Sequence, residues 1–314
     1  MSTVLVTGGA GFIGSHLADR LLAEGHRVIS VDDLTSGRIA NLVDARGYGK
    51  EFTFFNMDVR ADGLLPLFER HRPEVVFHLA AQSGVRPSLD DPVLDASINV
   101  MGTLNVLECA ARVEASKVVY AASGGTIYGE PKRLPAKETS AQASHPLSPY
   151  GISKKVALDY LSFYQRYRGL DYTALALGNV YGPRQDPHGE AGVIAIFASR
   201  MLAGEPVTVY GDGNQTRDYV FVDDVVHAFV QAIDRGPGKL VNIGTGLETS
   251  VNHLVRLLAE IVGYEREPEF GPLPAGELRR VALDISKAPN AIAWKPWTHL
   301  EDGLAETVAY LKGV

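Results

Sequence analysis

The chain has 314 residues, 46% hydrophobic and 21% charged, which is the balance of a soluble globular protein with one large core and a smaller lobe. Its net charge of −7 gives no general basic surface for nucleic acid, and its apolar runs are too short to span a bilayer. The first residues read as a strand rather than a signal peptide, and one cysteine, Cys109, cannot form an internal disulfide. Both observations lead us to expect a cytoplasmic protein. No Cys/His cluster has metal-ligand spacing, so we expect no metal site.

The chain opens with a glycine turn between an apolar run and an amphipathic stretch. The glycines fit two templates, Gly9-x-Gly11-x-x-Gly14 and Gly8-x-x-Gly11-x-x-Gly14. Glycines let the backbone approach a pyrophosphate, and the helix that follows offers it N–H groups and a positive dipole end. The next apolar run ends in Asp32, 18 residues after Gly14, near the offset at which an acid meets the ribose of NAD. The pattern predicts a dinucleotide-binding Rossmann unit; a purely structural glycine turn is the alternative.

Strand-like and helix-like patterns alternate through the first half of the chain, which predicts a parallel sheet with helices on both faces. Apolar strand-like runs recur at 4–7, 28–31, 52–57, 74–79, 117–121 and 171–177. Helical periodicities lie between them at 12–24, 64–71, 93–113 and 150–168. Six such strands with right-handed crossovers make a doubly wound α/β sheet of the Rossmann type.

From residue 178 the chain becomes rich in Gly, Pro and Asn, and its elements become shorter. We predict a helix at 190–203, a strand at 206–210, a turn at 211–214, and helices at 222–234 and 250–262. Pro and Gly crowd 266–276, which predicts a surface loop. The expected domains are a Rossmann domain formed by 1–177 with about 219–243, and a smaller C-terminal α/β substrate-binding lobe formed by 178–218 and 244–314.

A second signal is the pair Tyr150 and Lys154 at the start of a predicted helix. Residues four apart share one helical face, so these two side chains can share one site. A phenol with its ordinary pKa of about 10 is a poor base at neutral pH, but a neighbouring ammonium and a positive nicotinamide ring favour the phenolate. Such a pair also occurs on ordinary helix surfaces; after a dinucleotide fingerprint, it predicts hydride chemistry.

Further motifs accompany the glycine turn and the pair Tyr150 and Lys154. They are the segments 7–17, 78–82, 123–129, 148–150, 178–184, 211–213 and 217–224, with Asp58, Asn99 and Lys154. With these motifs the chain resembles the extended short-chain dehydrogenase/reductase family, and within it the NAD-dependent nucleotide-sugar epimerases, over nearly its whole length. The resemblance implies C4 epimerisation of a UDP-hexose (UDP-glucose and UDP-galactose, with the N-acetylhexosamine forms also considered) by transient oxidation to a 4-keto sugar.

The resemblance also implies a role for individual residues toward NAD. The pyrophosphate is held by Gly8, Gly11, Phe12, Ile13 and Gly14, and the adenosine ribose by Asp32. The adenine is bordered by Asp58 and Val59, although a role of Asp58 in forming a turn at the strand end is the alternative. The path to the nicotinamide is lined by Leu79, Ala80, Ala81 and Gln82. Asn99 is placed with the cofactor residues, although a role in organising the core between helix and sheet is the alternative.

The implied catalytic residues are Tyr150 as the base, Lys154 holding the nicotinamide ribose, and the hydroxyls of Ser123 and Thr126. The implied substrate-binding residues are Ser123, Gly124, Thr126, Tyr150, Asn179, Val193, Arg217 and Val281. Among these, Asn179, Val193 and Arg217 are expected at the nucleotide diphosphate, although Arg217 would also suit a solvated loop.

The chain departs from the family pattern at several positions. Gly124 stands where many relatives have a Ser or Thr hydroxyl, and we favour Thr126 as the substitute, because both residues point to one face if the segment is extended. An ordered water beside Gly124 is the alternative. Pro274 stands where relatives have a diphosphate-binding arginine, whose role then falls to Arg279 or Arg280 or is absent.

Two departures bear on the substrate. Val281 is expected to gate the 2-substituent of the sugar, and its modest size leaves room for an N-acetyl group. Arg86 either meets a uronate carboxylate or is a solvated or structural arginine.

Three functions remain open from the sequence. The segment 124–128 has no carboxylate of the kind that related dehydratases and decarboxylases use, which favours simple C4 epimerisation. The alternatives are another nucleotide-sugar enzyme, such as a UDP-glucuronate 4-epimerase or a keto-sugar reductase, and a non-catalytic dinucleotide sensor. The helices at 93–113 and 150–168 have apolar residues on more than one face, which predicts either a homodimer or burial within one chain.

Overall fold

The computed structural model describes residues 2–187, 192–272 and 278–313. Its strands are β1 (Thr3–Thr7), β2 (Arg27–Asp32), β3 (Phe52–Asn56), β4 (Val75–His78), β5 (Lys117–Ser123), β6 (Asp171–Leu177), β7 (Asn179–Tyr181), β8 (Thr208–Tyr210), β9 (Thr216–Arg217), β10 (Tyr219–Phe221), β11 (Lys239–Ile243), β12 (Thr249–Ser250) and β13 (Glu269–Gly271). Its α-helices are α1 (Phe12–Ala23), α2 (Val43–Arg46), α3 (Leu64–His71), α4 (Val85–Asp90), α5 (Pro92–Ala96), α6 (Gly102–Arg112), α7 (Pro149–Arg168), α8 (Val193–Leu202), α9 (Val222–Gln231), α10 (Val251–Val262), α11 (Ala288–Ile292) and α12 (Leu300–Lys312). A π-helical segment, Ser97–Met101, joins α5 to α6.

Seven parallel strands form the central sheet, in the order β11-β6-β5-β4-β1-β2-β3. The strand order reverses between β1 and β4, which pair so that their last residues, Thr7 and His78, lie side by side. Open α/β sheets bind their ligands beyond the carboxyl ends of the strands at such a reversal. The prediction of a doubly wound parallel sheet is confirmed, and the site is expected above Thr7 and His78.

Apolar residues on alternate sides of each strand build a core on both faces of the sheet. In β1, Val4 and Val6 pack into one cluster with α1 and α9, whereas Leu5 packs into the other with α3, α6 and α7. Both faces are covered, which explains why the strands read as continuous apolar runs rather than as alternating patterns.

All six predicted strands lie in this sheet, but three expectations need correction. The loop expected at 266–276 contains β13, which pairs with β8. The sheet has a seventh strand, β11, whose short run contains a lysine and an asparagine and gave no strand signal. The helix expected at 93–113 is divided into α5, the π-helical segment and α6, because the backbone there widens for one turn. This irregular turn places Asn99 beside the candidate site.

Shorter elements after β6 lie over one edge of the sheet. Three two-stranded sheets, β7 with β10, β8 with β13, and β9 with β12, accompany the helices α8, α10 and α12. Buried residues of these helices belong to the same cluster as those of α1 and α9, so this part shares a core with the sheet. The boundaries drawn at 177, 218 and 243 stay a prediction.

Candidate active site

The glycine turn after β1 has the close packing that only glycine allows. Gly8 has a φ of +70°, and a Cβ there would lie 2.8 Å from the backbone nitrogen of Ala80. A Cβ on Gly14 would lie 2.0 Å from the carbonyl oxygen of Gly8. Gly11 is the N-cap of α1, and it makes no side-chain cap hydrogen bond. The first turn of α1, which contains Phe12 and Ile13 and no acidic residue, therefore presents N–H groups that suit the pyrophosphate of NAD.

Asp32 lies at the end of β2, directly behind this turn. Its Oδ2 accepts a hydrogen bond from the backbone N–H of Ala10 at 3.0 Å, and its Oδ1 accepts one from that of Leu34 at 2.8 Å. Burial raises the pKa of this carboxyl, against these hydrogen bonds, which lower it. Each oxygen keeps a further acceptor position, so the carboxylate suits the ribose hydroxyls of NAD.

The two residues expected at the adenine follow β3. The Asp58 carboxylate accepts from the Arg60 guanidinium at 2.5 to 3.0 Å, and this contact lowers the pKa of Asp58. Val59 is buried under α6, and its carbonyl oxygen accepts from the Asn105 side chain at 2.7 Å. Both residues are thus tied to neighbouring side chains, and their contact with adenine stays a prediction.

Asn99 holds the loop that follows β4, which contains Leu79, Ala80, Ala81 and Gln82. Its Oδ1 accepts from the backbone N–H of Gln82, and its Nδ2 donates to the carbonyl oxygen of Gln82 and to Oδ1 of Asp95, all at 2.9 Å. Both amide hydrogens are therefore used inside the protein. This geometry favours the organising role of Asn99, and its contact with the cofactor stays a prediction.

His78 connects the same loop to the π-helical segment. Its Nδ1 lies 2.7 Å from Oγ1 of Thr7, and its Nε2 lies 2.9 Å from Oγ1 of Thr103. Thr103 donates its own hydroxyl hydrogen to the carbonyl oxygen of Asn99, so Nε2 of His78 is the donor to Thr103. Thr7 in turn accepts from the N–H of Ala80 and donates to Nδ1. Burial lowers the pKa of His78 to about 3, which keeps the ring neutral.

The expected base and its partner are brought together at the carboxyl end of β5. Tyr150 and Lys154 lie one turn apart on α7, which begins at the N-cap Ser148, and both are buried. Burial raises the pKa of Tyr150 to about 12, against a hydrogen bond from Ser123, which lowers it. Lys154 donates to the carbonyl oxygen of Ala121 at 2.9 Å, and burial lowers its pKa to about 8. Burial is therefore the largest influence on the pKa of Tyr150.

The turn after β5 differs from the extended segment that we assumed. Residues 124–128 form a turn in which the N–H groups of Thr126 and Ile127 both donate to the carbonyl oxygen of Ser123. The alternation that would align Thr126 with Gly124 is therefore absent. Thr126 packs against the backbone of Gly151, and among the described residues its buried hydroxyl has no hydrogen-bond partner. Ser123, not Thr126, contacts the phenol of Tyr150.

On its Cβ side, Gly124 packs directly against other parts of the protein. A Cβ on Gly124 would lie 2.6 Å from Cδ1 of Leu283 and 3.0 Å from the carbonyl oxygen of Leu177. The water that we considered at this position therefore has no room on the Cβ side. Val281 is buried and lines a small cavity with Gly124 and the neighbouring turn.

The residues expected at the diphosphate lie in three separate elements. Asn179 begins β7, with its Oδ1 3.9 Å from the position that a Cβ on Gly125 would take. Val193 is the first residue of α8, and Arg217 ends β9, donating from one terminal nitrogen to the carbonyl oxygens of Thr216 and Leu278 at 2.8 Å. Asn179 thus faces the turn after β5, whereas diphosphate binding by all three stays a prediction.

Two of the arginines considered as alternatives, Arg280 and Arg86, have partners within the protein. Arg280 pairs with Glu248, with 2.7 Å between Nε and Oε2, and it lines the small cavity beside Gly124; its contact with a diphosphate stays a prediction. The guanidinium of Arg86 lies over the ring of Tyr210, 5.9 Å from its centroid. Pro274, like the neighbouring residues 275–277, lies outside the described residues.

Two buried residues near the site were missed from the sequence. Asp95 accepts hydrogen bonds from Ser153 and Asn99, and Leu283 occupies the space beside Gly124. For Asp95, the sequence offers one indication, its spacing of four residues from Asn99, which places both on one helical face. No local pattern marks Leu283, which reaches the site from the far end of the chain.

In the described part of the chain, no three His, Cys, Asp or Glu side chains are grouped so that they could hold a metal ion. Within the same residues, no helix has both the length and the apolar character needed to cross a membrane.

Comparisons with known proteins agree with this geometry. The family model described as the NAD dependent epimerase/dehydratase family matches residues 4–244. A UDP-glucose 4-epimerase of Mycolicibacterium smegmatis is 48% identical over 309 residues, which cover 98% of both chains. The crystal structure of a UDP-glucose 4-epimerase of Thermotoga maritima with UDP-glucose is 46% identical, with a TM-score of 0.95 over 99% of both chains. That of a Thermus thermophilus UDP-glucose 4-epimerase in complex with NAD is 42% identical, with a TM-score of 0.91 and 99% coverage. The chain belongs to the NAD dependent epimerase/dehydratase family.

Proposed function

We propose that this protein is a NAD-dependent UDP-glucose 4-epimerase that interconverts UDP-glucose and UDP-galactose. The observation that carries the proposal is the buried group of Tyr150, Ser123 and Lys154 at the carboxyl ends of the strands, next to a glycine turn that suits a dinucleotide. Relatives with 42 to 48% identity over nearly the whole chain have this activity by name.

NAD+, which the glycine turn and Asp32 would hold, would supply a reversible hydride acceptor for C4 of the sugar. Tyr150 removes the proton of the 4-hydroxyl, and Ser123 hydrogen-bonds the phenol oxygen throughout. The ammonium of Lys154, 5.9 Å from the ring of Tyr150, favours the phenolate electrostatically. Burial of both side chains excludes water, which would otherwise weaken this effect. The 4-keto sugar turns over in the site before it is reduced on its other face.

The turn after β5 favours epimerisation over the elimination and decarboxylation reactions of related enzymes. Residues 124–128 supply no carboxylate, so an elimination or decarboxylation has no acid or base there. Arg86, which we considered for a uronate, lies over Tyr210 instead. A sensor without catalysis would have no need for a buried base beside the nicotinamide end of the site.

Product analysis tests the proposal. The protein is incubated with UDP-glucose, UDP-N-acetylglucosamine or UDP-glucuronate, and the C4 epimers and NADH are measured. We expect UDP-galactose without net NADH, and we expect Tyr150→Phe to lose nearly all turnover while the control Tyr160→Phe, on the same helix, keeps it. Net NADH would indicate a reductase, an epimer formed from the uronate alone would indicate the uronate enzyme, and turnover by Tyr150→Phe would contradict the mechanism.

We further propose that the protein is a homodimer. Apolar side chains remain exposed on α5, the π-helical segment and α7; they are Val93, Leu94, Met101, Ile152, Phe163 and Tyr167. Because these elements pack against one another within the chain, their outer sides form one surface that a second copy can cover. A cytoplasmic location is also a proposal, supported by Cys109, a buried free thiol.

A further inference from the structure

A buried carboxylate lies behind the proposed base and has no part in the mechanism so far. Asp95, on α5, is fully buried. Its Oδ2 accepts from the hydroxyl of Ser153 at 2.7 Å, and its Oδ1 accepts from the amide of Asn99 at 2.9 Å. Ser153 directly precedes Lys154 on α7, so this contact fixes the carboxylate against the helix that presents the catalytic pair.

In the described part of the chain, titratable side chains from four elements interact with Lys154. They are Tyr150 on α7, Tyr120 on β5, His78 on β4 and Asp95 on α5. The ammonium lies 4.9 Å from the ring centroid of Tyr120, whose pKa burial raises, and His78 is neutral. Among these four groups, Asp95 therefore supplies the negative charge that balances a buried ammonium.

We propose that Asp95 is a positioning residue of the reaction: its fixed negative charge keeps Lys154 cationic and sets the pH range in which the pair with Tyr150 works. The inference rests on the proposed function, because the pair is catalytic only there. Its physical basis is general, since a buried cation without a counter-charge loses its proton, and two hydrogen bonds hold this carboxylate in place. The carboxylate raises the pKa of Lys154 and also that of Tyr150.

Replacing the carboxylate by its uncharged isostere tests this role. In Asp95→Asn, the apparent pKa values of both Tyr150 and Lys154 should fall. The acidic and the alkaline limb of the plot of kcat against pH should then both move to lower pH by about one to two units. A loss of packing alone would lower kcat at every pH without moving the limbs. Asp90→Asn removes the same charge from an exposed position on the preceding helix α4 and should leave the profile unchanged.

A second measurement, the NMR titration of Lys154, does not require the sugar substrate. The ¹³Cε resonance of Lys154, identified by its loss in Lys154→Met, should titrate at lower pH in Asp95→Asn than in the unchanged protein, and an unchanged titration would overturn the proposal. If Asp95→Asn does not fold, Ser153→Ala is measured instead. The hydroxyl of Ser153 donates a hydrogen bond to Asp95 and so partly neutralises its negative charge; without it, Lys154 should titrate at higher pH. A shift to lower pH, or none, in that variant would also overturn it. Absence of epimerisation with the expected titration shift would refute the proposed function, while Asp95 would still be shown to keep Lys154 charged.

Discussion

Leu283 occupies the space that a side chain at position 124 would need, since a Cβ on Gly124 would lie 2.6 Å from its Cδ1. The two residues meet although 158 positions of the chain separate them, and Leu283 is fully buried. Gly124 is thus part of the packing between the turn after β5 and the C-terminal part of the chain. The hydroxyl that hydrogen-bonds Tyr150 is that of Ser123.

Placing a hydroxyl at Gly124 should therefore destabilise the protein. We expect Gly124→Ser to lower the free energy of unfolding by about 1 to 3 kcal/mol, because the new side chain overpacks against Leu283. Gly125→Ser is the control, since a Cβ there would meet its nearest atom at 3.9 Å. Denaturant unfolding measures both variants.

A double-mutant cycle tests the assignment to Leu283. In a Leu283→Ala background, the serine at 124 has more room, so its cost should be smaller by about 0.5 kcal/mol or more. Equal costs in the two backgrounds would show that the carbonyl oxygen of Leu177, 3.0 Å from the Cβ position, limits the site instead.

The neutral ring of His78 should make stability depend on pH. Its folded-state pKa, about 3, lies below the ordinary value of 6.5, so the unfolded chain binds one more proton between these values. Stability should therefore fall as the pH is lowered from about 6.5 toward 3, with His78 contributing about 1.4 kcal/mol per pH unit. Between about pH 5 and 6, few carboxylates titrate, so the slope is best measured there.

Unfolding free energies of the unchanged protein and of His78→Gln, measured at several pH values, separate this contribution from those of other histidines. The variant should lose that part of the slope, whereas His253→Gln, at an exposed position on α10, should keep it. Equal slopes for the His78 variant and the unchanged protein would contradict a neutral, buried His78.

The parts of the site that could be predicted are those that local spacing determines. The glycine turn, Asp32 and the pair Tyr150 and Lys154 each follow from a strand end or a single helical turn. Asp95 and Leu283 could not be predicted, because each reaches the site through tertiary packing from another element. The same is true of the pKa values: spacing shows that Lys154 is near Tyr150, but the burial that raises the phenol pKa depends on the complete fold.

The proposed dimer surface predicts the effect of a charge on α7. Phe163 is 47% exposed and contacts the rings of Tyr164 and Tyr167. We expect Phe163→Glu to shift the sedimentation coefficient from that of a dimer to that of a monomer, because a carboxylate would be buried without a partner in the interface. Leu247→Glu, at an exposed apolar position between β11 and β12, is the control. A monomeric unchanged protein would contradict the proposed assembly.

Asp32 gives a prediction for the cofactor itself. We expect Asp32→Asn to weaken NAD binding by about tenfold or more, because hydrogen bonds from the ribose hydroxyls to a charged acceptor contribute about 1.5 to 3 kcal/mol. Asp33→Asn is the matched control, since that neighbour is exposed and caps only the N–H of Thr35. Calorimetry with cofactor-stripped protein measures both affinities. Asp32 also holds the backbone of Ala10 and Leu34, so thermal unfolding without NAD must be compared as well. Equal NAD affinity in the two variants would mean that Asp32 supports the glycine turn and does not contact the ribose.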